Sequence, residues 1–194
     1  MNHRIFIAIN LPEDTKKRLT EYQDKWPELP IRWTKKENIH ITLIFLGYLS
    51  NGELLEVIET AKEAASRNPV FSINLNKICY GPPKKMPPRM VWVEGEKSKE
   101  LGKLQSDLEN SLLSSSIKGL EKENRPYSPH ITLGRIKTWE WRQLEIEERP
   151  EVNEEIFPPA GGLTFEVNSI EVMESQLKRG GPEYTILESC PLSS

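Results

Sequence analysis

The chain is poor in histidine, with three in 194 residues. It has only two cysteines, Cys79 and Cys190, and no Cys-x-x-Cys or Cys/His ligand spacing. A structural zinc module is therefore excluded, and two free thiols are expected. Long apolar runs are also missing. The apolar start, Ile5-Phe6-Ile7-Ala8-Ile9, is too short for a signal segment and is followed at once by Leu11-Pro12-Glu13-Asp14. No stretch approaches the length of a membrane-spanning helix, so a cytoplasmic protein without membrane contact is expected. Positive charge is not in excess: 26 Lys and Arg stand against 29 Asp and Glu, for a net charge of −3. That excludes a broad basic face gripping long nucleic acid, but not a local cluster for a small phosphate or an RNA end.

Against this scarcity, two of the three histidines open the same tetrapeptide. His-Ile-Thr-Leu occurs at His40–Leu43 and again at His130–Leu133. Histidine is the side chain whose ordinary pKa lies closest to neutral pH. A matched pair in one local context suggests an acid and a base meeting at a shared site.

The surrounding pattern is that of a repeated unit. Arg4–Asn10 reads as a core strand, and the Pro and acidic residues after it start a helix carrying Leu19, Tyr22 and Trp26. Ile31–Trp33 reads as a short strand and Asn38–Gly47 as a longer one. Leu54, Ile58, Ala61 and Ala65 mark a second helix, and Val70–Tyr80 alternates as a strand. Gly81–Arg89 is a proline-rich basic loop. Met90–Glu94 is a strand, Ser98 caps a helix with Leu101, Leu104, Leu108 and Leu112 on one face, and His130–Ile136 is the second tetrad strand. Thr138–Pro159 reads as loop with at most a helical turn. Thr164–Ser175 and Tyr184–Glu188 read as strands joined by a hairpin turn at Lys178–Pro182. Strand, helix and tetrad strand thus occur once from position 4 and again from position 90, with tetrads at 40 and 130. The expectation is one domain over residues 1–194, built of two similar, intertwined lobes.

On a strand, side chains alternate between faces. His40 and Thr42 face one way, Ile41 and Leu43 the other, and His130, Thr132, Ile131 and Leu133 follow the same rule. Each tetrad has an apolar back and displays an imidazole and a hydroxyl about 6.5–7 Å apart. If the lobes face each other, two imidazoles and two hydroxyls converge. That set suits general acid–base attack at phosphorus, with the hydroxyls holding the phosphate oxygens. It offers no carboxylate partners and is poor for a metal, so neither metal nor cofactor is expected. These residues alone do not say which histidine is the acid.

Phe6-Ile7-Ala8-Ile9, Arg32-Trp33, Asn38–Gly47, Arg125–Arg135 and Ser169–Ser175 with Tyr184 together resemble a known family across essentially the whole chain. The doubled His-x-Thr motif resembles the two-histidine (2H) phosphoesterase superfamily, and the flanks are similar to its RNA 2′,3′-cyclic phosphodiesterases, first named for RNA 2′-5′ ligase activity. The resemblance implies an α+β bilobal fold, with two antiparallel sheets facing a central groove and helices outside. It implies hydrolysis of a terminal 2′,3′-cyclic phosphate on RNA to a 2′-phosphomonoester, with His40 as proton donor and His130 as proton acceptor. Thr42 and Thr132 would bind the substrate. Arg135 resembles a phosphate-contacting position, although strict alternation puts it on the face opposite His130 unless Gly134 lets the strand bulge. The expected partner is RNA with a cyclic phosphate end or a small nucleotide, bound by a monomer. Lys84, Lys85 and Arg89 are candidates for attracting the RNA backbone, Arg125 is a further candidate, and Phe45, Tyr80, Tyr127 and Tyr184 are aromatics able to stack on a base. The alternatives are a non-catalytic binder of RNA ends, or the same chemistry on 2′-5′ linkages, including ligation.

Overall fold

The alternating and helical patterns resolve into strands and helices in a computed structural model that describes residues 2–96, 98–117, 120–122, 126–155, 163–179 and 181–194. In chain order the elements are β1 (His3–Asn10), α1 (Glu13–Glu21), β2 (Ile31–Trp33), β3 (His40–Leu49), α2 (Asn51–Ser66), β4 (Phe71–Gly81), β5 (Met90–Gly95), α3 (Lys99–Leu113), β6 (Ile131–Ile136), α4 (Thr138–Gln143), β7 (Asn153–Glu155), β8 (Leu163–Val167), β9 (Ser169–Lys178) and β10 (Gly181–Pro191). A short 3-10 turn, Tyr22–Lys25, extends α1 and stops before Trp26, ahead of Pro27.

The strands run β10-β9-β1-β3-β6-β5-β4-β7, with β2 also on β6 and β8 also on β4. All of these pairings are antiparallel. The two halves of the sheet, β10-β9-β1-β3 and β6-β5-β4-β7, meet at one ladder pair, Ile41↔Ile131. The fold is thus α+β and pseudo-symmetric: β1 beside β3 is matched by β5 beside β6, and the tetrad strands lie next to each other at the seam.

One face of this curled sheet carries the core. Ile5, Ile7 and Ile9 of β1, Ile41 and Leu43 of β3, Val91 and Val93 of β5, and Ile131 and Leu133 of β6 are all buried in one cluster. From α3 they receive Leu101, Leu104, Leu108 and Leu112, the face expected from their spacing. On α2 the buried stripe is Val57, Ala61, Ala64 and Ala65, while Leu54 and Ile58 sit at its half-buried margin. Small alanines there let the helix approach closely. Ser50 fixes the start of α2 with a capping box, accepting from Glu53 N while Glu53 accepts from Ser50 N.

Two sequence expectations change. Thr164–Ser175 is not one strand: it breaks at Asn168 into β8, paired with β4, and β9, paired with β1 and β10. β8 alternates and β9 is buried on both faces over Ile170–Met173, and neither pattern shows that the chain crosses from one half-sheet to the other. The charged stretch from Thr138 is more ordered than its composition suggests. It forms α4, whose Trp141 is buried under the Arg149 guanidinium, and then β7, an edge strand on β4. The hairpin joins β9 to the longer β10, with Gly180 outside the described residues. Cys79 and Cys190 are free thiols. No helix among the described residues is long and apolar enough to cross a membrane.

Candidate active site

The second face of the sheet is a groove of about 280 Å³, and both tetrads open on it: His40, Thr42, His130 and Thr132 all line its wall. The alternation of the tetrads is as expected, with Ile41 and Leu43, and Ile131 and Leu133, turned into the core behind them.

Both imidazoles are anchored alike. His40 Nδ1 lies 2.7 Å from the backbone oxygen of Asn38. His130 Nδ1 lies 2.9 Å from the backbone oxygen of Ser128. A carbonyl oxygen only accepts, so Nδ1 carries the proton in each ring and Nε2 is left for chemistry. Each carbonyl comes from the residue two before its histidine, so the repeat extends to the device that sets the tautomer. His40 Nε2 is 2.9 Å from Thr42 Oγ1, which donates to it when the ring is neutral.

Beyond that the two environments differ. The His40 ring packs 5.1 Å from Phe6 and edge-on, 5.3 Å from Tyr184. Burial pushes its pKa down to about 4, against a raising hydrogen bond to the Asn38 carbonyl, and the positive charges of Lys16 and His130 add to the fall. His130 stacks on Trp92, with ring centroids 3.8 Å apart. Its pKa is also lowered by burial, but the carbonyl of Ser128 and the Glu94 carboxylate oppose the fall. Trp92 reaches that place because it is the register partner of Thr132, whereas the equivalent partner of Thr42 is Ala8.

Arg135 is on the groove wall, not on the core face. The β5–β6 register steps from Val91↔Gly134 to Trp92↔Thr132, leaving Leu133 as an extra residue in β6. This bulge reverses the alternation after the tetrad. Gly134 permits it: a Cβ there would stand 2.6 Å from Ile31 Cδ1 and 2.9 Å from Trp33 Cε3. Arg135 Nη1 contacts Met90 Sδ at 3.6 Å, and Thr132 Oγ1 approaches the same sulfur at 3.9 Å.

Sequence reasoning missed the rest of the wall. Arg32, Trp33, Lys35 and Asn38 line the groove, together with Gly181 and Pro182 at the start of β10. Asn38 is buried, and its Nδ2 donates to the backbone oxygen of Pro182 at 2.8 Å, tying the β9–β10 hairpin across the approach to His40. Their signal was local: Arg32-Trp33 and Asn38 lie just ahead of the first tetrad. Of the four aromatics considered, Phe45 and Tyr184 line the groove. Tyr80 donates to Pro150 O at 2.5 Å and Tyr127 to Thr42 O at 3.0 Å, so both are structural. Lys84, Lys85 and Arg89 are not on the groove wall, and Arg125 is outside the described residues. Among the described residues, no group of three or more His, Cys, Asp or Glu is gathered as metal ligands would be.

Comparison with known proteins gives the same doubling. The model of the LigT like Phosphoesterase family matches twice, over residues 9–92 and 93–184. An RNA 2′,3′-cyclic phosphodiesterase of Thermotoga maritima is 31% identical over 191 residues, covering 96% of this chain and 94% of the relative. A protein of the same name from Methanocaldococcus jannaschii is 29% identical over 185 residues, covering 95% and 98%. Among solved structures, TT0787 of Thermus thermophilus aligns with a TM-score of 0.79 at 28% identity over 97% of both chains. E. coli LigT complexed with 3′-AMP aligns with a TM-score of 0.75 at 25% identity over 100% of both. The fold, the doubled tetrad and the two successive matches together make this chain a member of the LigT-like phosphoesterase family.

Proposed function

We propose that this protein hydrolyses the terminal 2′,3′-cyclic phosphate of RNA to a 2′-phosphomonoester by two-histidine acid–base catalysis that needs no metal. The observation that carries the reading is the matched pair of imidazoles on one groove, each with Nδ1 committed to a backbone carbonyl, so that Nε2, bonded in His40 to Thr42 Oγ1, is the nitrogen able to exchange a proton. The names of the relatives at about 30% identity point to the same reaction.

In this reading Thr42, Thr132 and Arg135 hold the phosphate oxygens. Neutral His130 takes a proton from water through Nε2, and the water oxygen bonds to phosphorus. The bond from phosphorus to the 3′ oxygen breaks, and the His40 imidazolium gives that oxygen its proton. The depressed pKa of His130 favours the neutral base at pH 7. The low pKa of His40 makes its imidazolium a strong acid but leaves the ring uncharged before substrate binds. A bound phosphate anion beside the ring restores the charged form. Proton exchange with solvent then resets the pair.

The test is incubation with a short RNA ending in a 2′,3′-cyclic phosphate, with and without chelator, followed by identification of the product. A 2′-phosphate formed equally with EDTA is expected. A 3′-phosphate would reverse the leaving group, and saturable binding without turnover would make the chain a binder of RNA ends.

A further inference from the structure

Arg32 and Arg135 are register partners on β2 and β6. Directly opposite residues of an antiparallel pair stand about 4.5–5.5 Å apart, and like charges there are destabilising. Both arginines line the groove, and among the described residues neither makes an ion pair with a carboxylate. The chain as a whole carries a net charge of −3, so this concentration of positive charge is not a general property of its surface.

The neighbouring structure leaves room for the Arg32 side chain, which is exposed. Gly181 lies beside its guanidinium with φ +119, and a Cβ there would stand 2.6 Å from Arg32 Nη2. Only glycine combines that backbone with that clearance. Lys35 adds a third cation to the same wall. A single cyclic phosphate, already given two threonines, two histidines and Arg135, does not require Arg32 and Lys35 as well.

We infer that Arg32, supported by Lys35, forms a second anion subsite that holds the phosphodiester on the 5′ side of the terminal nucleotide. Arg32 is then the residue through which an RNA chain end is preferred over a free cyclic mononucleotide. Arginine suits the task because its planar fork binds two phosphate oxygens at once. The subsite rests on the hydrolase reading above and adds the chain as the recognised feature.

The experiment compares kcat/KM on a cyclic-phosphate-ended oligoribonucleotide and on a 2′,3′-cyclic mononucleotide, for wild type, R32A and R32K, over a series of salt concentrations. Wild type is expected to favour the oligonucleotide. R32A should lose about tenfold on the oligonucleotide and much less on the mononucleotide, and its salt slope on the oligonucleotide should fall by about 0.7, one phosphate contact on a single strand. R32K should recover part of the loss and most of the salt slope. Thermal unfolding of R32A should be no lower than wild type, because a like-charge pair is relieved. Equal losses on both substrates would overturn the inference by placing Arg32 at the reacting phosphate, and an unchanged oligonucleotide rate would overturn it outright. A wild-type chain that turns over neither substrate fails the hydrolase reading instead. The subsite is then read from binding of an oligoribonucleotide ending in 2′-phosphate, where R32A must weaken affinity in a salt-dependent way or the inference falls.

Discussion

At the residue scale, the two histidines share an anchor and differ in surroundings, and that difference can be measured. In the proposed mechanism the two histidines act as a unit, so His40→Ala and His130→Ala should each lower kcat/KM on cyclic-phosphate RNA by roughly 10²–10⁴-fold, with the double variant scarcely worse. Near-full activity in either single variant would remove the mechanism. The same rings link stability to pH. The folded pKa of His40 is about 4, below its ordinary 6.5. Between those values the unfolded chain binds the extra proton, so the contribution of His40 is present above pH 6.5 and is lost as pH falls toward 4. His130 acts in the same sense, whereas His3, raised by its hydrogen bond to Glu174, acts in the opposite one. The stability lost between about pH 7 and pH 5, from urea unfolding, should therefore be smaller in His40→Gln than in wild type. An equal loss would show that His40 titrates normally in the folded protein.

At the element scale, the bulge in β6 decides which residues reach the groove. Without it Arg135 would point into the core with Leu133. Gly134→Ala would drive a methyl against Ile31 and Trp33. Overpacking of this kind costs about 1–3 kcal/mol, and β2 must move to relieve it. Thermal denaturation should show the loss. Because β2 carries Arg32 and Trp33, the KM on RNA should rise as well. A variant destabilised with KM unchanged would show that β2 does not help to shape the substrate site. The same reasoning explains the misread strand near Asn168. Alternation reports which face a residue takes, not which neighbour its strand pairs with.

At the scale of the whole molecule, the two half-sheets are joined by few bonds. Across the seam the ladder contributes Ile41↔Ile131, and Tyr127, just ahead of the second tetrad, donates to the backbone oxygen of Thr42 in the first. This side chain ties one tetrad to the other. Tyr127→Phe deletes that bond, worth about 0.5–1.5 kcal/mol, while keeping the ring. The expected outcome is a several-fold fall in kcat with KM little changed, since in the proposed mechanism the separation of His40 and His130 loosens while the contacts assigned to the phosphate stay. A rise in KM with kcat intact would assign Tyr127 to substrate binding instead.

What was legible in the sequence was whatever is local and periodic. The doubled His-Ile-Thr-Leu, the alternation that puts imidazole and hydroxyl on one face, the Leu stripe of α3 and the matched spacing of the two units are all properties of chain neighbours. They determined the α+β repeat and its two histidines. The tertiary structure decided what depends on partners distant in the chain. Register placed Trp92 under His130 but Ala8 beside Thr42, so identical tetrads acquired different surroundings. A bulge opposite β5 turned Arg135 outward, pairing on β2 set Arg32 against it, and the β9–β10 hairpin was tied over the site by Asn38. No four-residue motif contains those facts, because each is fixed by the packing of strands that the chain brings together only on folding.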